Sequence, residues 1–230
     1  MLTLGIETST NTASVALMEG DQLLAEQILS RDNVRHAQTL VHELDLLLQE
    51  KGLHLKETQR VAVSIGPGSF TGLRIGLVFA KTLAYITKCE LVPVDTLLAI
   101  AANSPAEVEQ VYAVVDAQRG DLYVAPFQRD ASGGWSRTAD VRIVPVKTWV
   151  TELSKSDVIS GPGLQRHLDL IATQASPLPE SFWIPRAAEI ARLGSVQPTL
   201  STFEQLAALE PFYLRKSAAE ENWVKKQTAQ

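Results

Sequence analysis

Ser64-Ile-Gly-Pro-Gly-Ser-Phe-Thr-Gly-Leu-Arg-Ile-Gly76 joins an apolar stretch to a long run of small apolar residues through a loop nearly devoid of side-chain bulk. Glycine and proline fix such a turn, and Ser69 and Thr71 are placed to cap the helix that follows. Two readings stay open. The N–H groups at the helix mouth suit an anion or a closely approaching backbone; alternatively, the glycines serve only to let strand and helix pack tightly. No Gly-Lys-Ser/Thr follows, so the loop does not match the phosphate-loop pattern.

On either side of this loop the spacing is regular. Val61 to Ile65 alternates as a strand, and Leu73 to Ile86 reads as a helix apolar enough to be buried on several sides. Upstream, Leu2 to Glu7 and Ala13 to Leu17 alternate as two strands joined by the turn Ser9-Thr10-Asn11-Thr12, and Gln22 to Leu29 forms a third. Ala37, Leu40, Val41, Leu44, Leu47 and Leu48 then fall at helical spacing, with His42, Glu43 and Gln49 off the stripe. Downstream, a short strand near Leu91 to Val94 leads into a helix from Thr96 capped by Asp95. The first half is thus a β-β-β-α-β-α-β-α unit.

The pattern restarts at Val111. Val111 to Asp116 is a strand ending in an acid, followed by a turn, a strand at Leu122 to Phe127 and another near Val141 to Val144. Glu7 precedes Val15-Ala16 by the spacing that separates Asp116 from Val124-Ala125, a weak internal repeat. The second half carries nine of the 11 prolines and all four tryptophans, which predicts shorter helices and stiffer loops. The boundary falls near Ala101 to Pro105, giving an N-terminal domain over 1–102 and a smaller, irregular C-terminal domain over 103–230.

With 230 residues, 45% of them hydrophobic, the chain can bury a substantial core. No 18-residue apolar segment exists, and Met-Leu-Thr-Leu-Gly-Ile-Glu reads as a strand rather than a basic leader, so the expectation is a cytoplasmic protein with no membrane contact. The single cysteine, Cys89, excludes an internal disulfide and a cysteine-based zinc site. With 21 basic against 26 acidic residues the net charge is −5, which repels a phosphate backbone overall. The one basic run, Arg215, Lys216, Lys225 and Lys226, is interrupted by Glu220 and Glu221 and reads as a solvated tail.

Two successive β-β-β-α units, each with an acid closing its first strand, resemble the α/β actin, hexokinase and Hsp70-like superfamily (ASKHA, ribonuclease H-like), with duplicated βββαβα domains around a nucleotide cleft. That resemblance implies Glu7, Thr8, Ser9, Asp116 and Arg119 as inherited ligands of a metal-bound water and phosphates. An acid beside hydroxyl-rich turns suits a hydrated Mg²⁺, while a plain polar hairpin turn explains residues 8–12 equally well. Taken together, Ile6-Glu7-Thr8-Ser9-Thr10, Arg35-His36, Gly66-Pro-Gly-Ser-Phe-Thr-Gly-Leu-Arg74, Asp116-Ala-Gln-Arg-Gly120 and Pro211-Phe-Tyr-Leu-Arg215 resemble the TsaB family, also called YeaZ. The resemblance runs in order through nearly the whole chain.

What the catalytic relative TsaD has and this chain lacks bears on function. TsaD-type enzymes hold a metal with two histidines four apart on the first-domain helix. Here Leu40 occupies the position partnering His36, and His42 lies about 240° around the helix from His36. His54 and His167 are isolated. The second half also looks too short and proline-broken to supply the remaining metal and adenine contacts. The resemblance therefore implies a noncatalytic partner that pairs with TsaD and the ATPase TsaE in transferring a threonylcarbamoyl group to tRNA, reaches tRNA only through that complex, and forms a homodimer in isolation. It requires no cofactor of this chain and leaves ATP or ADP at the partner interface open. On this reading the interface draws on His36, Leu40, Leu44, Leu47, Leu73 and Leu77, and Leu44→Glu should block assembly if the chain stays folded. Burial within the monomer explains each helix about as well. Two alternatives remain: a small ATP-binding phosphotransferase or ATPase using the interdomain cleft, and a peptidase, which lacks a nucleophile–base pair around Ser69 or Cys89.

Overall fold

The computed structural model of the protein describes residues 1–29 and 36–215, with side chains in the first helix from Thr39 onward. Its first lobe is built on β1 (Leu2–Glu7), β2 (Ala13–Glu19), β3 (Gln22–Leu29), α1 (His36–Glu50), β4 (Arg60–Gly66), α2 (Phe70–Thr87), β5 (Glu90–Asp95) and α3 (Thr96–Ala102). The sheet order is β3-β2-β1-β4-β5, antiparallel among the first three strands and parallel from β1 through β4 to β5. Strand alternation divides this sheet between two layers. Val61 and Val63 turn toward the helices α1 and α2, joining Leu4, Ile6, Val15, Leu17, Leu44 and Leu77 in one core. Ala62 between them faces the other way.

The second lobe repeats the plan with shorter elements: β6 (Gln110–Asp116), β7 (Asp121–Arg129), β8 (Trp135–Arg137), β9 (Arg142–Pro145), α4 (Val146–Trp149), β10 (Val158–Ser160), α5 (Leu164–Ile171) and β11 (Ser176–Pro177). Its order is β11-β10-β6-β7-β8, with β9 also paired to β7. β6 stands where β1 stands in the first sheet, antiparallel to the next strand and parallel to β10. The helix α3 contributes to both lobes: Leu97, Ile100 and Ala101 pack with Val111, Ala113 and Phe127 of the second sheet, while Ala99 packs with Val92 and Val94 of the first.

The expected division into 1–102 and 103–230 needs correction at its far end. After β11 the chain returns to the first lobe, where α6 (Ala187–Val196) lies across the open face of the first sheet. The approach is close because both surfaces are small. A Cβ on Gly5 would sit 2.1 Å from Ala187 O, and one on Gly194 would sit 2.4 Å from Ala62 Cβ. α6 has no capping side chain of its own. Its first N–H groups are taken by the sheet instead, Ala187 N–H donating to Ser14 Oγ at 2.9 Å and Ala188 N–H to Glu26 Oε1 at 3.1 Å, while Arg186 pairs with Glu26. At the other end Arg60 donates to the carbonyls of Gly194 and Ser195 while holding Glu90. Leu206 of α7 (Phe203–Ala208) then enters the first-lobe core, and Leu200 bridges to Leu91.

Two helix expectations change as well. Val41, placed on the buried stripe of α1 by spacing, is 57% exposed, because the core contact of that helix is carried by Leu40, Leu44, Leu47 and Leu48. α2 is buried along Leu73, Leu77, Ala80, Leu83 and Ala84, yet Val78, Tyr85 and Ile86 are open to solvent. Tyr85 meets the edge of the Phe203 ring there, with centroids 6.3 Å apart.

Candidate functional site: an interlobe cleft and an open helix face

The glycines at 68, 72 and 76 are spaced four apart, so they share one face as the loop enters α2. That face meets the β1–β2 turn. A Cβ at Gly68 would lie 2.4 Å from Ser9 O, at Gly72 2.0 Å from Thr8 O, and at Gly76 2.2 Å from Thr8 Oγ1. The turn is bonded to the helix start through Ser69 N–H to Ser9 O (2.6 Å) and Thr8 Oγ1–H to Gly72 O (2.8 Å). Ser69 is the N-cap, accepting from Gly72 N–H, whereas Thr71 lies inside the helix. The close-packing role of these glycines is therefore the one the geometry realises. Ser69 Oγ, engaged as a cap, gives the peptidase reading no nucleophile arrangement.

Between the lobes lies a cleft of about 490 Å³ lined on the first-lobe side by the hydroxyl-rich turn Ser9 to Thr12 with Gly68 and Ser69, and on the second-lobe side by Asp116, Gln118, Arg119, Gln165 and Arg166. Its volume falls within the roughly 300–1,000 Å³ typical of small-molecule sites. Ser9, Asp116 and Arg119 reach this cleft together. Thr8 does not, because its hydroxyl is committed to α2. Asp116 accepts from Gln118 N–H at 2.7 Å and pairs with Arg166 at 3.0 Å. The β6–β7 turn holds Gln118 at φ 63° and Arg119 at φ 58°, a left-handed conformation uncommon for residues with a Cβ.

Glu7 departs most from expectation. It is fully buried, and its Oε1 accepts from both Ser9 N–H and Ser9 Oγ–H at 2.5 Å. Burial outweighs these bonds and raises its pKa from 4.5 to about 7. A carboxyl so enclosed is not presented to the cleft to hold a hydrated metal. Among the described residues no group of three or more His, Cys, Asp or Glu side chains is placed to hold a metal ion.

Sequence reasoning missed Arg166 and Gln165, although a signal existed. Ser160-Gly-Pro-Gly163 connects β10 to α5 as Gly66-Pro-Gly68 connects β4 to α2. Gly161 has φ +130°, and a Cβ there would lie 2.1 Å from Val114 O. The second Gly-Pro-Gly thus marks the equivalent corner of the repeat.

The residues expected at an interface are largely inside. Leu44 and Leu47 on α1 and Leu73 and Leu77 on α2 belong to the monomer core, as does Leu40, 1% exposed, which reaches the groove only as its floor. The side chain of His36 lies outside the described residues, as do Lys216, Glu220, Glu221, Lys225 and Lys226. The apolar surface actually offered is an open groove of about 430 Å³ between α1 and α2, lined by Val41, Arg74, Ile75, Val78, Phe79 and Thr82 over Leu40.

The late motif Pro211 to Arg215 crosses from one lobe to the other. Phe212 N–H donates to Ile65 O at 2.7 Å, and Tyr213 stacks on Phe70 with centroids 4.8 Å apart. Arg215 donates to Ala117 O and Asp121 Oδ2 at the foot of the β6–β7 turn.

Two duplicated β-β-β-α-β lobes meeting at such a cleft define a protein of the actin, hexokinase and Hsp70-like fold. The family described as TsaD, tRNA N6-adenosine threonylcarbamoyltransferase, matches residues 22–134. The tRNA threonylcarbamoyladenosine biosynthesis protein TsaB of Bacillus subtilis is 29% identical, covering 99% of this chain and all of that protein. Its Escherichia coli counterpart is also 29% identical, over 95% of this chain and 96% of that one. The solved structure of YeaZ from Pseudomonas aeruginosa superposes with a TM-score of 0.78 at 23% identity, covering 93% of this chain and 99% of that one. Over nearly its whole length the chain is thus similar to TsaB proteins.

Proposed function

We propose that this chain is a noncatalytic subunit in the synthesis of threonylcarbamoyladenosine. It binds and supports TsaD, with TsaE, in transferring threonylcarbamoyl from threonylcarbamoyl-AMP to N6 of the adenosine 3′ of the anticodon, in tRNAs reading codons that begin with A. Relatives spanning its full length carry the name of that pathway. The observation that carries the subunit role is the apolar groove between α1 and α2, where Val41 and Val78 are 57% and 63% exposed. A groove of this kind, left open by the described residues, suits a partner's helices. TsaD is its occupant in the cell, and a second copy of this chain takes its place when TsaD is absent. The position four residues after His36 on α1 is Leu40, committed to the core. Contact with tRNA comes through the complex, in keeping with a net charge of −5.

The phosphotransferase reading draws on the cleft, which has hydroxyls and Arg119 but no accessible Glu7. Enclosure of that carboxyl weighs against it. Reconstitution decides between them: purified TsaD, TsaE and the enzyme class that makes threonylcarbamoyl-AMP, acting on unmodified tRNA with and without this chain. Product that depends on a chain inactive alone supports the subunit role; equal product without it refutes that role.

A further inference from the structure

Arg74 belongs to two places at once. It lines the apolar groove between α1 and α2, and its guanidinium lies 4.0 Å from the centroid of Phe70 and 5.9 Å from that of Tyr213, with Nε donating to Tyr213 Oη at 3.0 Å. Tyr213 is part of the 211–215 strap, whose far end, Arg215, grips Ala117 O at 2.8 Å and Asp121 Oδ2 at 2.5 Å. Those two residues close the turn that carries Gln118 and Arg119. The turn in turn separates the hydroxyl-lined cleft from a second cavity of about 230 Å³, walled by Phe70, Leu73, Tyr123 and the strap itself. A contact at the groove is therefore linked, through one arginine, one tyrosine and one further arginine, to the residues that set the shape of the interlobe space.

We propose that Arg74 and Tyr213 couple occupancy of the α1/α2 groove to the interlobe cleft, with residues 211–215 acting as the connecting strap. An occupant of the groove removes water from the exposed side of Arg74. Cation–π and hydrogen-bond interactions strengthen as they are desolvated, so the Arg74–Phe70–Tyr213 stack tightens. The strap is then held more firmly, and Arg215 fixes the 117–121 turn between its two cavities. With the groove empty, the stack stays exposed to solvent and the turn has greater freedom to open. The strained left-handed pair Gln118-Arg119 is suited to respond, because its conformation must be held by its surroundings.

This inference rests on the docking reading above, and amide hydrogen exchange separates the two. Exchange at the Ala117 and Asp121 N–H groups is followed by mass spectrometry in the free chain and in its complex with purified TsaD, for the wild type, Tyr213→Ala and Arg215→Ala. Neither substituted residue lines the groove. In the wild type, complex formation should slow exchange of the turn by roughly tenfold or more. Tyr213→Ala should still bind TsaD while its turn exchanges at the free-chain rate. Arg215→Ala should leave the turn exchanging rapidly in both states, and serves the same purpose if Tyr213→Ala fails to fold. A wild-type complex without slowing, or slowing that survives both substitutions, overturns the coupling. Failure of the wild type to bind TsaD overturns the docking reading and the coupling with it.

Discussion

Glu7→Gln should make the protein more stable at neutral pH, by an amount set by the buried carboxyl. Burial raises the Glu7 pKa from 4.5 to about 7. At about 1.36 kcal/mol per unit, that gap corresponds to about 3 kcal/mol between the two protonation states. The folded-state pKa lies above the unfolded one, so between pH 4.5 and about 7 the native state retains a proton that the unfolded chain has released. The stabilisation associated with this group is thus fully present below the unfolded pKa, declines as pH rises through the window, and is gone above about pH 7. Glutamine keeps the size of the side chain and a carbonyl to accept from Ser9, and it never ionises. Urea unfolding followed by tryptophan fluorescence, at constant ionic strength, should show the variant gaining on the wild type by about 2–3 kcal/mol between pH 5 and pH 8. For a chain of this size that corresponds to roughly 4–12 °C in Tm. Parallel pH profiles for the two proteins would refute the assignment, since they would mean that Glu7 titrates normally in the fold. The same variant should support tRNA modification in the reconstituted system, whereas the phosphotransferase reading requires that activity to fall.

Val78→Glu should leave the monomer's unfolding free energy within about 0.5 kcal/mol of wild type, because the site is a solvent-facing helix position. It should weaken assembly with TsaD by about 2 kcal/mol or more, roughly thirtyfold in Kd, when titrated by calorimetry; unchanged affinity would remove α2 from the interface. Leu44→Glu, by contrast, buries a charge at a position only 3% exposed and should lower Tm sharply before any effect on assembly can be read. Gly72→Ala sets two effects against each other. Alanine gains about 1 kcal/mol of helix propensity, but its Cβ would lie 2.0 Å from Thr8 O, a backbone atom. Relieving such overlap costs about 1–3 kcal/mol or more, so net destabilisation in urea unfolding is expected, and a stabilised variant would show that the β1–β2 turn yields freely.

Much of the first lobe was legible because its signals are local. Val61 to Ile65, the Gly-Pro-Gly corner, and Asp95 as the cap of α3, with Oδ1 accepting from Leu97 and Leu98 N–H, depend on neighbours a few residues away. The return of α6 to the first sheet was not legible. Its contacts join Ala187 to Gly5 and Gly194 to Ala62, pairs separated by more than a hundred residues, and small residues leave little periodic signature. The two-residue β11 and three-residue β8 are too short for alternation to show. Exposure of Val41 and Val78 was hidden for another reason: apolar spacing marks a face that avoids water but cannot say whether the monomer or a partner covers it. In the cleft, the two acids were found by position, yet only the folded chain distinguishes Asp116, paired with Arg166, from Glu7, enclosed behind Ser9.

The stretch from 64 to 76 owes its composition to three neighbours served by one short segment and the helix it begins. Gly68 and Gly72 admit the backbone of the β1–β2 turn and Gly76 the Thr8 hydroxyl, fixing both the height and the rotation of α2. Once that face is fixed, Leu73 and Leu77 are directed into the core, and Ile75 and Val78 are left along the groove. A docking surface held this firmly loses little conformational freedom when a partner binds, which raises affinity for a given area. On the proposed docking, the glycines would contribute to assembly without touching the partner, by orienting the helix proposed to meet it. Substitutions on the three faces should separate accordingly: the glycine face through the turn and the cleft, the leucine face through stability, and the valine face through association alone.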